Sequence, residues 1–553
     1  MKQLQKHAID QYSAAPGESA SPIGMSLDQL LSLGIAAPEQ KPLLSLNEIA
    51  NKLDERTSID VGSDKVITFG FYDFRHAPGI NNNPSYGEAA GYSPFTSEQR
   101  IAAESSIRMW DDLIAPSFVE KAPGPGASSW GRNDIDIWFA NTSTGPSQAW
   151  SYYPEGAARD KRAGSDVWIS DPQTNWTNEW LTNLGYGKTT LIHELGHSLG
   201  LSHPGEYDYQ PGIALSYTNS AEYAQDSNQY TIMSYWGAAW TGANIINWLG
   251  QMMPGYAQTP LLHDVYVIQQ KYGADTTTRS GETVYGFNST AGREVYDFSK
   301  NPYPYLTIYD AGGQDTIDLS GFTASQFLDL HAGSFSSVGG GMPSAETANS
   351  YLQNLSDITG LDWGTLNSDY LSAQMAAAGK ANAASIADDI AMTGHLPVNA
   401  ICTSEYENVS IAYGVTIENG TGGSARDLLW GNEAANILKG MGGDDVLNGF
   451  QGADTLYGGA GNDTFMFGHV EKGDRVMDWN RGDKIDLREI DANSRTAGLQ
   501  HFNFLGGQSF HNVAGELRYA NGLLEGDVNG DGRADFTVLL IGSPSIGAMD
   551  LLL

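Results

Sequence analysis

A chain of 553 residues is too long for one compact core, so two or more domains are expected. Its 65 acidic side chains against 30 basic ones leave a formal charge of −35, which argues against nucleic acid as a partner, because phosphate binding needs clustered cations. The single cysteine, Cys402, excludes an intramolecular disulfide, and no apolar run approaches the roughly 20 residues of a membrane span.

Bound cations are the natural counterweight to the acid excess, with an acidic solvated surface as the alternative. The N-terminus MKQLQKHAIDQYSAAPGESASP has no apolar core after its basic start, so it does not read as a cleavable signal peptide, and export would need another address. Residues 1–60 are polar, with short helical patterns at 26–33 and 45–53, and resemble a leader more than a domain. KVITFGFYDF (65–74) alternates like a strand. Thr96 and Gln99 form a capping box ahead of an amphipathic helix over 97–114, followed by strands at 135–141 and 165–170. Helices over about 188–199 and 261–272 complete the parts of an α+β domain spanning 61–275. After Tyr272, Gly, Asp, Asn and short apolar triplets dominate to about 470, interrupted by an Ala/Ser-rich, helix-like stretch at 343–404.

TTLIHELGHSLGLSHPG (189–205) carries the chemistry. Residues four apart on a helix share a face, so His193 and His197 can reach one ion, with Glu194 beside them facing a cleft. Gly200 lets the chain turn sharply, bringing His203 in as third ligand. Three imidazoles leave a zinc ion an open position for water, the catalytic pattern and not the structural one. Three of eleven histidines at this spacing set aside an ordinary helix with chance histidines.

Together with QYTIMSYWG (229–237), which supplies Met233 as an apolar floor and Tyr235 two residues on, the chain resembles the serralysin branch of the metzincin metalloproteases. SQAWSYYP (147–154), LLHDVYVIQQKYGAD (261–275) and TVYGFNS (283–289) extend the resemblance over roughly 65–340 and 405–553. It implies a metzincin catalytic domain and a secreted zinc endopeptidase acting on proteins and peptides. Glu194 would be general base to water activated by the zinc, and Tyr235 a displaceable zinc ligand that later hydrogen-bonds the oxyanion. A calcium-binding surface or adhesive protein with a vestigial protease domain is the alternative; intact Glu194 and the small number of repeats described next weigh against it.

Residues 422–466 divide into five nonapeptides with apolar eighth residues Leu429, Leu438, Leu447, Leu456 and Phe465, the RTX repeat of an all-β parallel β-roll in which turns bind calcium. By the family pattern each ion sits between repeats n and n+2. One would be surrounded by Gly423, Ala425, Asp427, Gly440, Gly442 and Asp444, and the next by Met441, Gly443, Asp445, Gly458, Ala460 and Asn462. The even-numbered side is poorer, since Asn436 replaces Asp and Ala453 offers no side-chain oxygen. The resemblance also implies calcium at Arg279, Gly281, Thr283, Asp310, Gly312 and Asp315, and a neighbour at Gly313, Asp315, Thr416 and Glu418. DVNGDGRAD (527–535) mimics an EF-hand start, but Val538 stands where the loop needs its Glu, so a tight Asx turn is the preferred reading.

The expected organisation is a leader (1–60), a catalytic domain (61–275), the start of a calcium-binding β domain (276–341), an insert (342–404), the RTX roll (405–470) and a C-terminal β region (471–553). The insert could cover the cleft, bind a partner or be a neutral elaboration, the last being the default. GAMDLLL (547–553) resembles the tail that type I secretion machinery reads in serralysins, or else is an apolar final strand. One catalytic zinc, several structural calcium ions, an extracellular location and a monomer are expected.

Overall fold

The structure, a computed structural model, describes residues 38–72, 87–121, 135–154, 164–207, 215–243, 255–340, 344–360, 362–365, 405 and 407–553. The helical pattern at 26–33, the part of the helix-like stretch from 366 to 404, and Cys402 lie outside the described residues. The chain divides into two units: the first contains 1–278, 305–311 and 342–374, and the second 279–304, 312–341 and 375–553.

The first unit is built on a sheet of β1 (Val66–Phe71), β2 (Tyr92–Ser93), β3 (Ser117–Glu120), β4 (Ile137–Thr142), β5 (Ala149–Ser151) and β6 (Val167–Ser170). Its order is β3-β1-β4-β6-β5, with β2 beside β4. β1, β3, β4 and β6 run parallel, in register Phe69 to Ile137 and Phe139 to Val167. β5 is antiparallel to β6, with Ala149 opposite Ile169, and lies at the edge. Alternation works as expected for a strand packed on both faces. Ile67, Phe69 and Phe71 are buried, while Tyr72, Trp138, Ala140 and Trp168 form an aromatic cluster flanked by Trp150 and Tyr152.

Four helices position the site: α1 (Leu46–Leu53), α2 (Ser97–Asp111), α3 (Tyr186–Ser198) and α4 (Leu262–Tyr272). The capping box that starts α2 is present, with Gln99 N donating to Thr96 Oγ1 at 3.2 Å and Thr96 N to Gln99 Oε1 at 3.0 Å. Trp110 on α2 is fully buried and its Nε1 donates to Ile192 O of α3 at 3.1 Å. Every residue of α3 is buried. A helix enclosed on all sides ordinarily carries apolar residues, so the imidazoles and carboxylate along it need a chemical reason.

Residues 38–60, read from sequence as the end of a leader, are part of this unit. Asp54 bridges antiparallel to Leu201, Glu55 N donates to Gly200 O at 3.1 Å, and Ser202 N donates to Leu53 O at 2.8 Å. These bonds are backbone to backbone and leave no trace in side-chain composition.

The second unit contains two stacks of short parallel strands, most of them three residues long. In one, Phe327–Asp329, Leu428–Trp430, Val446–Asn448, Thr464–Met466, Lys484–Asp486 and Leu551–Leu552 follow one another. In the other, Val284–Gly286, Thr316–Asp318, Asn419–Thr421, Ile437–Lys439, Thr455–Tyr457 and Lys472–Val476 do the same. Successive repeats alternate between stacks, so partners within a stack are 18 residues apart, as Leu429 with Leu447 and Leu438 with Leu456. All five eighth-position residues are fully buried. The expected parallel β-roll does not close on itself as a purely parallel sheet: in the C-terminal β region Glu516–Ala520, Leu523–Asp527 and Phe536–Leu540 pair antiparallel and join the second stack, which is therefore mixed. Among the described residues no helix is long and apolar enough to cross a membrane.

Candidate metal and catalytic centre

The turn of helix between His193 and His197, followed by the reversal at Gly200, brings three imidazoles together. His197 Nε2 lies 3.1 Å from His203 Nε2, which lies 3.3 Å from His193 Nε2. The two helical rings are oriented by backbone. His193 Nδ1 is 2.8 Å from Ile232 O, and His197 Nδ1 is 2.7 Å from Leu201 O. A carbonyl only accepts, so both Nδ1 atoms carry the proton and both Nε2 atoms present lone pairs. Burial pushes His193 down to about 3 and His197 well below the ordinary imidazole value, which keeps both rings neutral. Tetrahedral zinc at about 2.0–2.1 Å from nitrogen spaces its ligands about 3.3–3.4 Å apart, so this donor set fits the ion.

Two glycines make the arrangement possible. Gly200 has φ +90, and a Cβ there would meet Thr57 O at 2.1 Å, so the residue satisfies both the left-handed turn and the passage of residues 54–57. A Cβ at Gly196 would meet Met233 Sδ at 2.5 Å. Met233 is fully buried and packs directly on α3 at Gly196, which lies in sequence between the two helical histidines.

Glu194 is buried, and burial pushes its carboxyl up to about 8. Its Oε2 meets no hydrogen-bond donor among the described residues. A divalent cation on the adjacent imidazoles would lower that value again, leaving a carboxylate able to take a proton near neutral pH. Tyr235 sits over the group, its ring 4.5 Å from the His203 ring and 6.2 Å from that of His193.

Three further residues complete the site and were not singled out from sequence. Asp264 of α4 is fully buried and accepts from Ile232 N at 2.7 Å, Leu261 N at 2.8 Å and the Thr231 hydroxyl. It therefore fixes the segment whose Ile232 carbonyl orients His193. Asp226 accepts from Tyr207 Oη at 2.8 Å, Ser234 Oγ at 2.7 Å and Trp236 Nε1 at 3.2 Å, and Tyr207 stacks on His203 at 5.7 Å. Burial pushes Asp226 and Asp264 up to about 7, against those hydrogen bonds.

The calcium candidates of the second unit fall into columns of carboxylates. Gly423 N donates to Asp427 Oδ2, Asp427 N to Asp445 Oδ1 at 2.7 Å, and Asp445 N to Asp463 Oδ1 at 3.0 Å. The turns stack likewise: Gly443 N donates to Ala460 O at 2.9 Å, Ala460 N to Met441 O at 3.0 Å, and Asn462 N to Asp444 Oδ1 at 2.8 Å. Gly442 bridges to Ala460, a Cβ at Gly443 would meet Ala425 C at 2.4 Å, and one at Gly440 would meet Gly458 O at 2.5 Å. Burial pushes Asp427 up to about 7 and Asp445 to about 8. The column continues past the last nonapeptide, with Asp463 N donating to Asp483 Oδ1 at 3.0 Å and Asp454 N to Asp474 Oδ1 at 3.0 Å.

Near the start of this unit, Thr283 Oγ1 donates toward Gly281 O at 3.1 Å and Arg279 O at 3.4 Å, and Thr283 N donates to Asp315 Oδ1 at 2.8 Å. Asp315 N reaches Glu418 Oε2 at 2.8 Å, and a Cβ at Gly313 would meet Gly281 O at 2.2 Å. Gly312 has φ +131, Thr416 is exposed, and Asp310 is a buried residue of the first unit. At 527–535 the carboxylates are used internally. Asp527 accepts from Gly530 N at 2.6 Å and Gly532 N at 2.7 Å, Asp535 accepts from Val528 N at 3.0 Å, and Asp531 Oδ1 accepts from Arg533 N, two residues on, at 2.9 Å, which is an Asx turn.

A family profile described as Peptidase M10 serralysin C terminal matches residues 274–352 and 403–553. The chain is similar to metalloprotease AprA of Pseudomonas entomophila (strain L48), 36% identical over 519 residues that span 92% of this chain and 90% of that protein. Metallopeptidase AprA of Pseudomonas marginalis is 36% identical over 471 residues, 83% of this chain and 80% of its own. Serralysin of Proteus mirabilis is 40% identical over 252 residues, 44% of this chain and 49% of its own.

Proposed function

This chain belongs to the serralysin family of zinc metalloendopeptidases, and on that premise we propose that His193, His197 and His203, with Tyr235 as a displaceable fourth ligand, hold one zinc ion at the centre of its peptidase site. Convergence of the imidazole nitrogens beside buried Glu194 carries this reading. When bound, zinc supplies a Lewis acid for the scissile carbonyl and lowers the pKa of the attacking water. Glu194 takes the water's proton as general base, and the Tyr235 hydroxyl donates to the developing oxyanion.

The second unit, in this reading, is a calcium-stabilised β-roll. Its ions are held by Arg279, Gly281, Thr283, Gly312, Gly313, Asp315, Thr416 and Glu418, and by the turns from Gly423 to Asn462. Buried carboxylates stacked at an 18-residue pitch support it, since they need a counter-charge at neutral pH. Low calcium inside the cell would keep the repeats open for type I export through residues 547–553, and the folded enzyme would act outside as a monomer on proteins and peptides. The pairing of Leu551–Leu552 with Lys484–Asp486 is how such a tail is stowed after folding.

Glu194→Gln tests the catalytic assignment. The ligands are untouched, so zinc content measured by mass spectrometry stays near one per chain while hydrolysis of casein falls about 10²- to 10⁴-fold. Turnover like that of the parent enzyme would sink the general-base role.

A further inference from the structure

The segment inserted between Phe335–Ser336 and Val409–Ile411 is in sequence an interruption of the second unit, yet its first part packs within the first. Helix α5 (Ala345–Thr359) is capped by Ser344 Oγ, which accepts from Thr347 N at 3.1 Å, and ends at Gly360 with φ +64. It buries Ala348, Leu352 and Leu355 and lies against the turn Trp176–Glu179. Trp363 folds back on it, with Nε1 donating to Thr359 Oγ1 at 2.8 Å, and meets Trp176 edge to face at 6.0 Å. Tyr351 hydrogen-bonds the Thr182 side chain. The insert thus grips 176–182, the stretch that leads directly into the ligand-bearing helix α3.

That stretch in turn holds the edge strand β5. Gln148, just before the strand, receives hydrogen bonds at Oε1 from Asn175 Nδ2 at 2.6 Å and Thr177 Oγ1 at 2.9 Å. Its Nε2 donates to Asn178 Oδ1 at 2.7 Å and to Thr190 Oγ1 of α3 at 3.0 Å. Asn178 Nδ2 also donates to Gln148 O at 3.0 Å and to Ser170 O of β6 at 2.8 Å. At the far end of β5, Ser151 Oγ is 2.7 Å from Ser198 Oγ. The strand therefore runs alongside α3 from Thr190 to Ser198, past His193 and His197, and an extended peptide adding to an edge strand takes its affinity from main-chain hydrogen bonds.

We propose that α5 and Trp363 position the edge strand Ala149–Ser151, through the turn 175–182 and Gln148, so that the insert sets how well this enzyme binds extended polypeptide as opposed to short peptides. The inference rests on the peptidase reading of the zinc site. Trp363 touches no reacting atom; it is a positioning residue, and its effect belongs in KM for long substrates and not in the chemical step.

The test measures kcat and KM for the zinc-loaded full chain on an eight-residue peptide and on a three-residue reporter ester, with Trp363→Ala, Trp363→Phe and Tyr351→Phe. Trp363→Ala is expected to raise KM for the long peptide about three- to tenfold, the worth of one aromatic pair. Its kcat, its zinc content and its KM for the short ester stay at parent values, and Trp363→Phe restores the long-peptide KM to within about twofold. Should Trp363→Ala fail to fold, Tyr351→Phe, which removes a single hydroxyl, is read the same way. An unchanged KM for the long peptide, or equal losses on both substrates, overturns the proposal. A parent enzyme that hydrolyses neither would instead overturn the peptidase reading.

Discussion

The two candidate metal regions of this protein are built on opposite electrostatic plans. At the proposed zinc site, His193 and His197 are neutral imidazoles whose protons are committed to backbone carbonyls, so these two donors are arranged by the fold before any ion arrives. In the repeats the candidate ligands are buried carboxylates stacked on one another, and the cation has to arrive for that packing to be favourable at neutral pH. On the proposed assignments, zinc would be a tenant of the first unit, whereas calcium would be a structural member of the second.

Selective chelation should separate the two plans, and it is the largest effect expected. A zinc chelator abolishes peptidase activity with circular dichroism unchanged, whereas a calcium chelator at pH 8 removes the β signal of the second unit. The pH dependence has a defined sign. Burial raises Asp427 and Asp454 to about 7, Asp445 to about 8, and Asp463 and Asp474 to about 6. A carboxyl raised above its unfolded value of about 4 contributes stability that is present at low pH and is lost as pH climbs through its folded value. In chelator, thermal stability should fall from pH 5 to pH 8. With calcium saturating it should not, because ions then replace protons on the same oxygens. Equal melting temperatures in chelator at both pH values would break the comparison.

Next in size is Asp264→Ala, which probes how rigidly the first plan is prebuilt. It orphans Thr231 Oγ1, Ile232 N and Leu261 N, and frees the segment that orients His193. Zinc affinity by competition with a chromophoric chelator should drop about 10- to 100-fold. Asp264→Asn keeps an acceptor for the two amides and should lose much less; identical losses in both variants would mean that the segment is held by other contacts.

The same contrast explains what the sequence made legible. The three clustered histidines, Glu194 and Gly200 lie within eleven residues, and local helix geometry suffices to place them. Asp226 and Asp264 act through folded contacts between separate segments, and Tyr207 is an ordinary loop tyrosine until its hydroxyl meets Asp226, so no spacing rule marks any of the three. The nonapeptide period announced buried Leu429 to Phe465. It concealed the continuation to Asp474 and Asp483 because the column step there lengthens from 18 residues to 20. β3 was missed for a different reason, since most of its residues are exposed and show no apolar alternation.

The smallest effect comes from the one column position that does without a carboxylate. Asn436 occupies the place that Asp427, Asp445, Asp454 and Asp463 hold in neighbouring turns, and like them it accepts at Oδ1, from Asn432 N at 2.8 Å. Its other end differs: Nδ2 donates to Glu418 O at 2.9 Å and to Asn432 Oδ1 at 3.0 Å, so a neutral amide supplies the positive edge that, on the calcium reading, a cation would supply elsewhere. Asn436→Asp would replace that donor by an oxygen facing two other oxygens. In chelator the variant should be less stable by about 1–2 kcal/mol, the cost of buried groups left without partners. Saturating calcium should close most of the gap, because the substituted carboxylate then has an ion to bind, and calorimetric titration should register one additional calcium per chain. A variant destabilised equally with and without calcium, and binding no extra ion, would mean that this turn lacks the remaining oxygens and that the amide is only a packing element.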